Sequence, residues 1–480
     1  MATTDAFLHE VWERDVVPTL TDYVRIPNKS PAFDPGWREA GHMDRAVTLV
    51  EEWCRGRAIP GLTVERHELD GRTPVLVIEV PATGTAGGAG NGSRAGNDTV
   101  LLYGHVDKQP EMAGWREGLS AWEPVREGDR IYGRGVADDG YAAFSALTAI
   151  EALHDAGRPH ARCVVVIEAS EESGSPDLPA HMTALADRIG APSLVIGLDS
   201  GCATYDRLWV TSSLRGLVGG TLRVDVLADG VHSGAAGGIV PSSFRIIRKL
   251  LERIEDATTG EILLPALHAD IPPHVHAAAV ALVEELGPGA AGEFPMVDGM
   301  RPATSDAVER VLAGTWRPQL AVVGADGLPP AANAGNVLRP FTALSLSFRL
   351  PPTVDPAAAQ AAISEALDGE APYGAQVRWR ASEGAWGWAA PPTAPWLAAA
   401  LDEGSTAAFG KPARFMGEGG TIPFMAMLGE QFPDAQFVIT GVLGPESNAH
   451  GPNEFLDLPT AERVTACVAD VLAAHAQREG

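Results

Sequence analysis

Five short segments carry acids or histidines at or near the ends of apolar, strand-like runs. In α/β sheets the carboxyl ends of strands are where loops converge and sites form. The first segment is Tyr103-Gly-His105-Val-Asp107. Two residues apart in extended chain, His105 and Asp107 point to the same side. A ligand histidine commonly donates its other ring N–H to a nearby carboxylate. The second segment, Tyr132-Gly-Arg-Gly-Val-Ala-Asp138-Asp139-Gly140, sets two carboxylates side by side, an arrangement that gains stability from a cation. The third, Glu168-Ala-Ser-Glu171-Glu172, can supply a metal ligand from one glutamate and a proton acceptor from its neighbour. The fourth is Leu198-Asp199-Ser200-Gly201, and the fifth is Asn448-Ala-His450-Gly-Pro-Asn-Glu454.

Each segment has a plainer reading by itself. Asp138 or Asp139 can cap the following helix. Glu171 and Glu172 can be a solvated acidic turn, Asp199 an Asx turn, and His450 an ordinary loop histidine. Together they supply His105, Asp138, Glu172, Asp199 and His450, with Glu171 to spare. Imidazole and carboxylate together suit zinc, manganese or cobalt. A carboxylate shared by two ions roughly 3.5–4 Å apart is the arrangement of a two-metal hydrolase.

The elements that must hold these residues alternate. Helical spacing runs from Trp37 to Arg57 and from Gly140 to Ala156. Between and after these lie Thr99 to Tyr103, Cys163 to Glu168 and Leu194 to Leu198, apolar on both faces as in a sheet covered by helices. Near Leu214 the pattern changes. Thr221 to Leu227, Leu344 to Leu350 and Ala375 to Trp379 alternate like half-buried strands, with a helix over Phe244 to Ile254. From about Trp386 the first pattern returns, with a strand at Ala435 to Gly441 and a last helix at Ala461 to Ala474. The expected organisation is an α/β domain (1–213 and 384–480) interrupted by a smaller α+β domain (214–383). The Gly- and Ala-rich stretch Gly84 to Asp98 reads as a flexible surface loop.

With 480 residues, two domains are the natural expectation. A formal net charge of −26 and the lack of a basic stripe argue against nucleic acid or an anionic membrane as partner. No apolar run approaches the length of a membrane span. The N-terminus lacks a signal-peptide pattern. The four cysteines are scattered, which suits reduced thiols in the cytoplasm.

The segments GHVD, GRGVADDG, EASEESGS, GLDSG and NAHGPNE, in this order, resemble the ligand motifs of the carnosinase, aminoacylase and carboxypeptidase-G family, nearest its carnosinase-like dipeptidase branch. The resemblance spans about residues 20 to 475. It implies a zinc-peptidase-like catalytic domain, a mixed sheet flanked by helices, interrupted by a lid and dimerisation domain. It also implies two divalent ions per chain, zinc first, with manganese or cobalt as alternatives. His105 and Asp199 would hold one ion, Glu172 and His450 the other, and Asp138 both, with a cis bond between Asp138 and Asp139. Asp107 would orient His105, and Glu171 would be the general base.

In the inserted domain, Asp229-Gly-Val-His232-Ser-Gly matches the lid histidine that steadies the oxyanion across a homodimer. Asn333 and Asn336 match a further lid contact. Arg349 resembles the arginine that holds a substrate carboxylate. Gly419, Gly420 and Thr421 lie in what looks like the glycine-rich substrate loop. The implied activity is hydrolysis of an amide in a dipeptide or other small peptide-like molecule. A deacylase of N-acyl amino acids, a carbamoyl amidohydrolase and an amide-forming or acyl-transferring enzyme on the same scaffold are the alternatives. The sequence departs from the dipeptidase branch at Gly140-Tyr141, Gly417 and Thr421, changes that leave the ligands themselves untouched and bear on the substrate.

Overall fold

The computed structural model describes residues 2–83, 98–292, 294 and 296–478, so residues 84–97 of the Gly- and Ala-rich stretch lie outside the described residues. The chain forms two compact units, Met1–Thr211 with Ala390–Phe415 and Met427–Gly480, and Ser212–Ala389 with Met416–Ala426.

The first unit is built on a six-stranded mixed sheet in the order Thr63–His67, Val75–Val80, Arg162–Glu168, Thr99–His105, Leu194–Gly197, Gln436–Ile439. The first two strands pair antiparallel, and Val75–Val80 runs antiparallel to Arg162–Glu168. The last four strands are parallel. Every residue of Thr99–His105 is buried, which is why this strand reads as a continuous apolar run rather than an alternation. Helix Ala142–Asp155 is rich in Ala and Leu, strong helix formers whose small side chains allow close packing. It packs against Leu458–Gln477 and His42–Arg55. The Leu458–Gln477 helix begins at Asp457, whose carboxylate accepts from the Thr460 N–H at 3.1 Å. It starts earlier than the sequence pattern predicts, because this cap and Pro459 define its first turn. The helical pattern from Trp37 to Arg57 is split at Gly41, whose φ of 68° ends Trp37–Ala40 before His42–Arg55 starts.

The second unit contains a four-stranded antiparallel sheet in the order Gln319–Asp326, Phe341–Leu350, Gly216–Asp225, Gln376–Ala381. Val218, Leu222 and Val224 alternate along the inner strand and form a core with Ile246, Ile247 and Leu250 of helix Ser243–Leu251 and with Ile363 and Leu367 of Pro356–Asp368. The edge strand Gln319–Asp326 carries a register shift between Val322 and Gly324 and leaves Val322 and Val323 exposed.

Among the described residues no helix is long and apolar enough to cross a membrane. All four cysteines are buried, and none is in a disulfide.

Candidate metal centre

Sheet register brings the first, third and fourth segments together. His105 ends its strand directly opposite Glu168. On its other side Tyr103 pairs with Gly197, two residues before Asp199. The acids after these strands therefore share one edge of the sheet. Gly104 makes room for the second segment. A Cβ there would lie 2.5 Å from the Ala142 Cβ and 2.7 Å from Asp139 Oδ2. The bare glycine lets the Asp139 carboxylate accept the His105 N–H at 3.2 Å. Asp139 is thus spent on the backbone of His105, not on capping the helix. The Asp138–Asp139 peptide bond is cis.

Two donor groups result. One ligand atom each from His105, Asp138 and Asp199 lie within 4.8 Å of one another, and the same holds for Asp138, Glu172 and His450. Asp138 belongs to both and turns a different oxygen to each side. Its Oδ1 is 3.6 Å from His105 Nε2, and its Oδ2 is 2.9 Å from His450 Nε2. Asp199 Oδ2 stands 3.8 Å from His105 Nε2, and Glu172 Oε2 stands 3.3 Å from His450 Nε2.

The donor set fits divalent cations, and the buried atoms show why. His105 Nε2 and Glu172 Oε1 are buried without a hydrogen-bond partner. Buried polar atoms are rarely left so. The other nitrogen of His105, Nδ1, is 3.1 Å from the Asp107 carbonyl oxygen and 3.5 Å from Asp107 Oδ1. An Nδ1–H donated there leaves the Nε2 lone pair facing the cluster. The Asp107 backbone carbonyl is thus the nearer acceptor for His105 Nδ1. The Asp107 carboxylate accepts the N–H groups of Glu171 and Glu172, both at 3.0 Å, and so holds the acidic turn.

Burial dominates the electrostatics. It raises Glu171 well above the ordinary carboxylate range, helped by the negative charge of Asp199. Burial and Asp138 push Glu172 up to about 8. The hydrogen bond to Asp138 lifts His450 to about 9. Burial opposes ionisation of Asp138 too, but hydrogen bonds from His105 and His450 outweigh it and hold that carboxyl low. Glu168 stands apart. It is a buried acceptor for Tyr103 at 2.6 Å and Ser175 at 2.8 Å, with its pKa raised by burial to about 7.

Sequence reading missed the residues that support this cluster. Gln109 donates to Glu172 Oε2 at 2.6 Å. Arg134 and Glu454 tie the second and fifth segments together and reach Pro110, three residues past the first. Both lie inside the quoted motifs, but only their contacts reveal the role.

In the second unit, Val231–His232 pairs with Val337–Leu338, and Ser233 N–H donates to the Asn336 carbonyl at 2.8 Å. His232 is exposed and lies next to Asn336 in this ribbon. Asn333 ends a separate short turn, Ala331–Asn333. Arg349 donates to Thr421 Oγ1 at 2.8 Å, beside Gly419 and Gly420.

Residues 101–474 match the profile of Peptidase family M20/M25/M40. The chain is 27% identical to the cysteinylglycine-S-conjugate dipeptidase of Corynebacterium striatum over 95% of its own length and 98% of that protein. It is 23% identical to the human Beta-Ala-His dipeptidase over 75% of its length and 70% of that protein. Among solved structures it resembles the di-peptidase Dug1p of Saccharomyces cerevisiae at a TM-score of 0.75, with 20% identity, 100% of this chain and 99% of that one covered. Human carnosine dipeptidase 1 gives 0.73, with 19% identity and 99% of both chains covered.

Proposed function

The chain belongs to peptidase family M20/M25/M40, and from that premise we propose that it is a two-metal hydrolase cutting the amide bond of a dipeptide or small peptide-like molecule. The observation that carries this reading is the sharing of Asp138 between two donor groups, one buried and one open at His450. His105 and Asp199 would hold one divalent ion, Glu172 and His450 the other, and Asp138 both. Such ions would supply Lewis acidity toward a water and the scissile carbonyl. Zinc is the first choice from the donor types, with manganese and cobalt next.

The remaining chemistry falls to the chain itself. Glu171 is the general base. It follows the turn held by Asp107, and its Oε2 is 4.0 Å from His105 Nε2. From there it would take a proton from water and pass it to the leaving amine. His232, with its exposed ring, is the oxyanion donor, supplied by a second copy of the chain. The apolar edge strand with Val322 and Val323 exposed supports pairing of two copies through the second unit. Arg349 binds a substrate carboxylate, with Asn336, Gly419, Gly420 and Thr421 as further contacts.

The test is metal content by elemental analysis, with turnover of a dipeptide and N-acyl amino acid panel before and after chelation. Two ions per chain and dipeptide turnover that disappears with chelation and returns with metal is the expected result. Two ions with turnover of N-acyl amino acids alone would replace the dipeptidase assignment. A protein that takes up no metal would end the reading.

A further inference from the structure

In the second unit one threonine joins two guanidinium groups that have no acidic partner among the described residues. Arg215 lies at the start of the inner strand of the sheet, and Arg349 lies near the end of the strand beside it. Thr421 joins them: its hydroxyl accepts from Arg349 Nη1 at 2.8 Å and donates to the Arg215 carbonyl at 2.6 Å. Arg215 reaches only the carbonyls of Gly419 and Ala313, both at a long 3.3 Å. Each guanidinium has five N–H donors. Those spent here go to neutral oxygens. Among the described residues neither arginine forms an ion pair with a carboxylate; Arg253, Arg310 and Arg339 also bond only carbonyls, and what sets Arg215 and Arg349 apart is the Thr421 hydroxyl that joins them.

Both groups are half-buried. Burial lowers the pKa of Arg215 to about 10, and the positive charge of Arg349 pushes the same way. Arg349 is lowered by burial as well. Two like charges, partly removed from water and close enough to repel, raise the free energy of the empty arrangement. The backbone is shaped for it. A Cβ on Gly419 would sit 3.0 Å from Arg215 Nη2, while one on Gly420 would meet nothing within 4 Å. Glycine at 419 admits the guanidinium, and the space at 420 stays open.

We propose that Arg215 and Arg349 form a two-cation cradle for a substrate end carrying two negative charges, such as a C-terminal glutamate or aspartate residue. The inference rests on the hydrolase reading for the word substrate, but the cradle stands on its own contacts. One carboxylate neutralises one guanidinium. A second carboxylate removes the repulsion that the first leaves behind, and the planar fork of each arginine matches a carboxylate.

The experiment is calorimetric titration of metal-loaded Glu171→Gln protein with alanylglutamate and with alanylglutamine, which differ by one charge and hardly in shape. A charge-assisted hydrogen bond corresponds to roughly 10- to 100-fold in affinity. Alanylglutamate is expected to bind at least about tenfold more tightly, and Arg215→Gln should collapse that ratio toward one. Arg215→Lys, which keeps the charge without the fork, should retain part of it and serves if the glutamine variant does not fold. Equal affinity for the two peptides, or a preference that survives in both variants, would overturn the cradle. Turnover by the unsubstituted enzyme separates the two ideas. A binding preference with no hydrolysis of either peptide removes the hydrolase reading alone, and equal binding with rapid hydrolysis of both removes the cradle alone.

Discussion

Arg134 and Glu454, 320 residues apart in the chain, form an ion pair 2.7 Å long with side chains 1% and 0% exposed. Arg134 also donates to the carbonyls of Pro110 and Gly451, at 3.0 and 2.6 Å. Glu454 accepts the N–H groups of Gly135, Ala137 and Asp138 at 3.0, 3.1 and 3.3 Å. The pair thus fixes the backbone at Asp138 and beside His450 at once, and holds Pro110 in the chain that follows the His105 segment. Removing one partner strands the other charge in the interior, which costs about 3–5 kcal/mol. Glu454→Ala should lower unfolding stability in urea by that amount and reduce the metal retained per chain. A loss below about 1 kcal/mol with full metal content would show that the ligands are held by other means.

How much of this could be read beforehand depends on where the information lies. The α/β class was legible because buried parallel strands such as Thr99–His105 and Arg162–Glu168 carry unbroken apolar runs between polar ends. The acids and histidines were legible as candidates because they follow such runs. The supports were not. Arg134 and Glu454 are ordinary charged residues until the fold brings them together. Asp139 looks like a helix cap, and only the missing side chain at Gly104 turns it toward the His105 N–H. Arg215 was passed over because its significance is an absence, the lack of an acidic partner, and a sequence does not display absences.

The two donor groups differ in exposure. His105, Asp138 and Asp199 are 1%, 5% and 9% exposed, whereas the His450 side chain is 56% exposed. His450 also has a φ of 63°, in a segment where Glu446, Asn448 and Asn453 are left-handed too. Such conformations are costly for non-glycine residues. The ion near His450 should therefore exchange faster, and His450→Ala should retain about one ion per chain where Asp138→Ala disturbs both. Protons compete for the same groups. In metal-free protein, His450 with a pKa of about 9 and Glu172 with a pKa of about 8 still carry protons at neutral pH. Zinc uptake should release protons into a weakly buffered solution near pH 7 and release few above pH 9.5. Equal proton release at both values would contradict this ordering.

Acid should unfold the protein by way of His475. This side chain is fully buried, its Nε2 is 2.8 Å from Ser193 Oγ, and burial, with Arg478 nearby, lowers its pKa to about 4. Unfolded, it titrates near its ordinary value of 6.5. Between those values the unfolded chain binds more protons than the native one, so stability falls as pH drops through that window. The shift corresponds to roughly 3 kcal/mol at most. Urea midpoints at pH 7.5 and pH 4.5 should differ clearly for the native sequence and by less for His475→Gln. The same difference in both proteins would place the acid sensitivity elsewhere.

Glu171 and His232 offer a test of the reaction and of the assembly together. Glu171→Gln should keep its metal and lose roughly 10²- to 10⁴-fold in kcat, since a general base accounts for about that much. His232→Ala should lose about 10²- to 10³-fold, the usual cost of one oxyanion donor. If His232 serves the site of a second copy, the two defects lie in different places within a mixed dimer. The subunit carrying His232→Ala keeps its own Glu171 and receives an intact histidine from its Glu171→Gln partner. Mixing the two inactive proteins under exchange conditions should then restore about a quarter of the sites. Activity that stays at the level of the separate variants after verified subunit exchange would mean that His232 does not act in trans, and the oxyanion donor would have to be sought on the same chain.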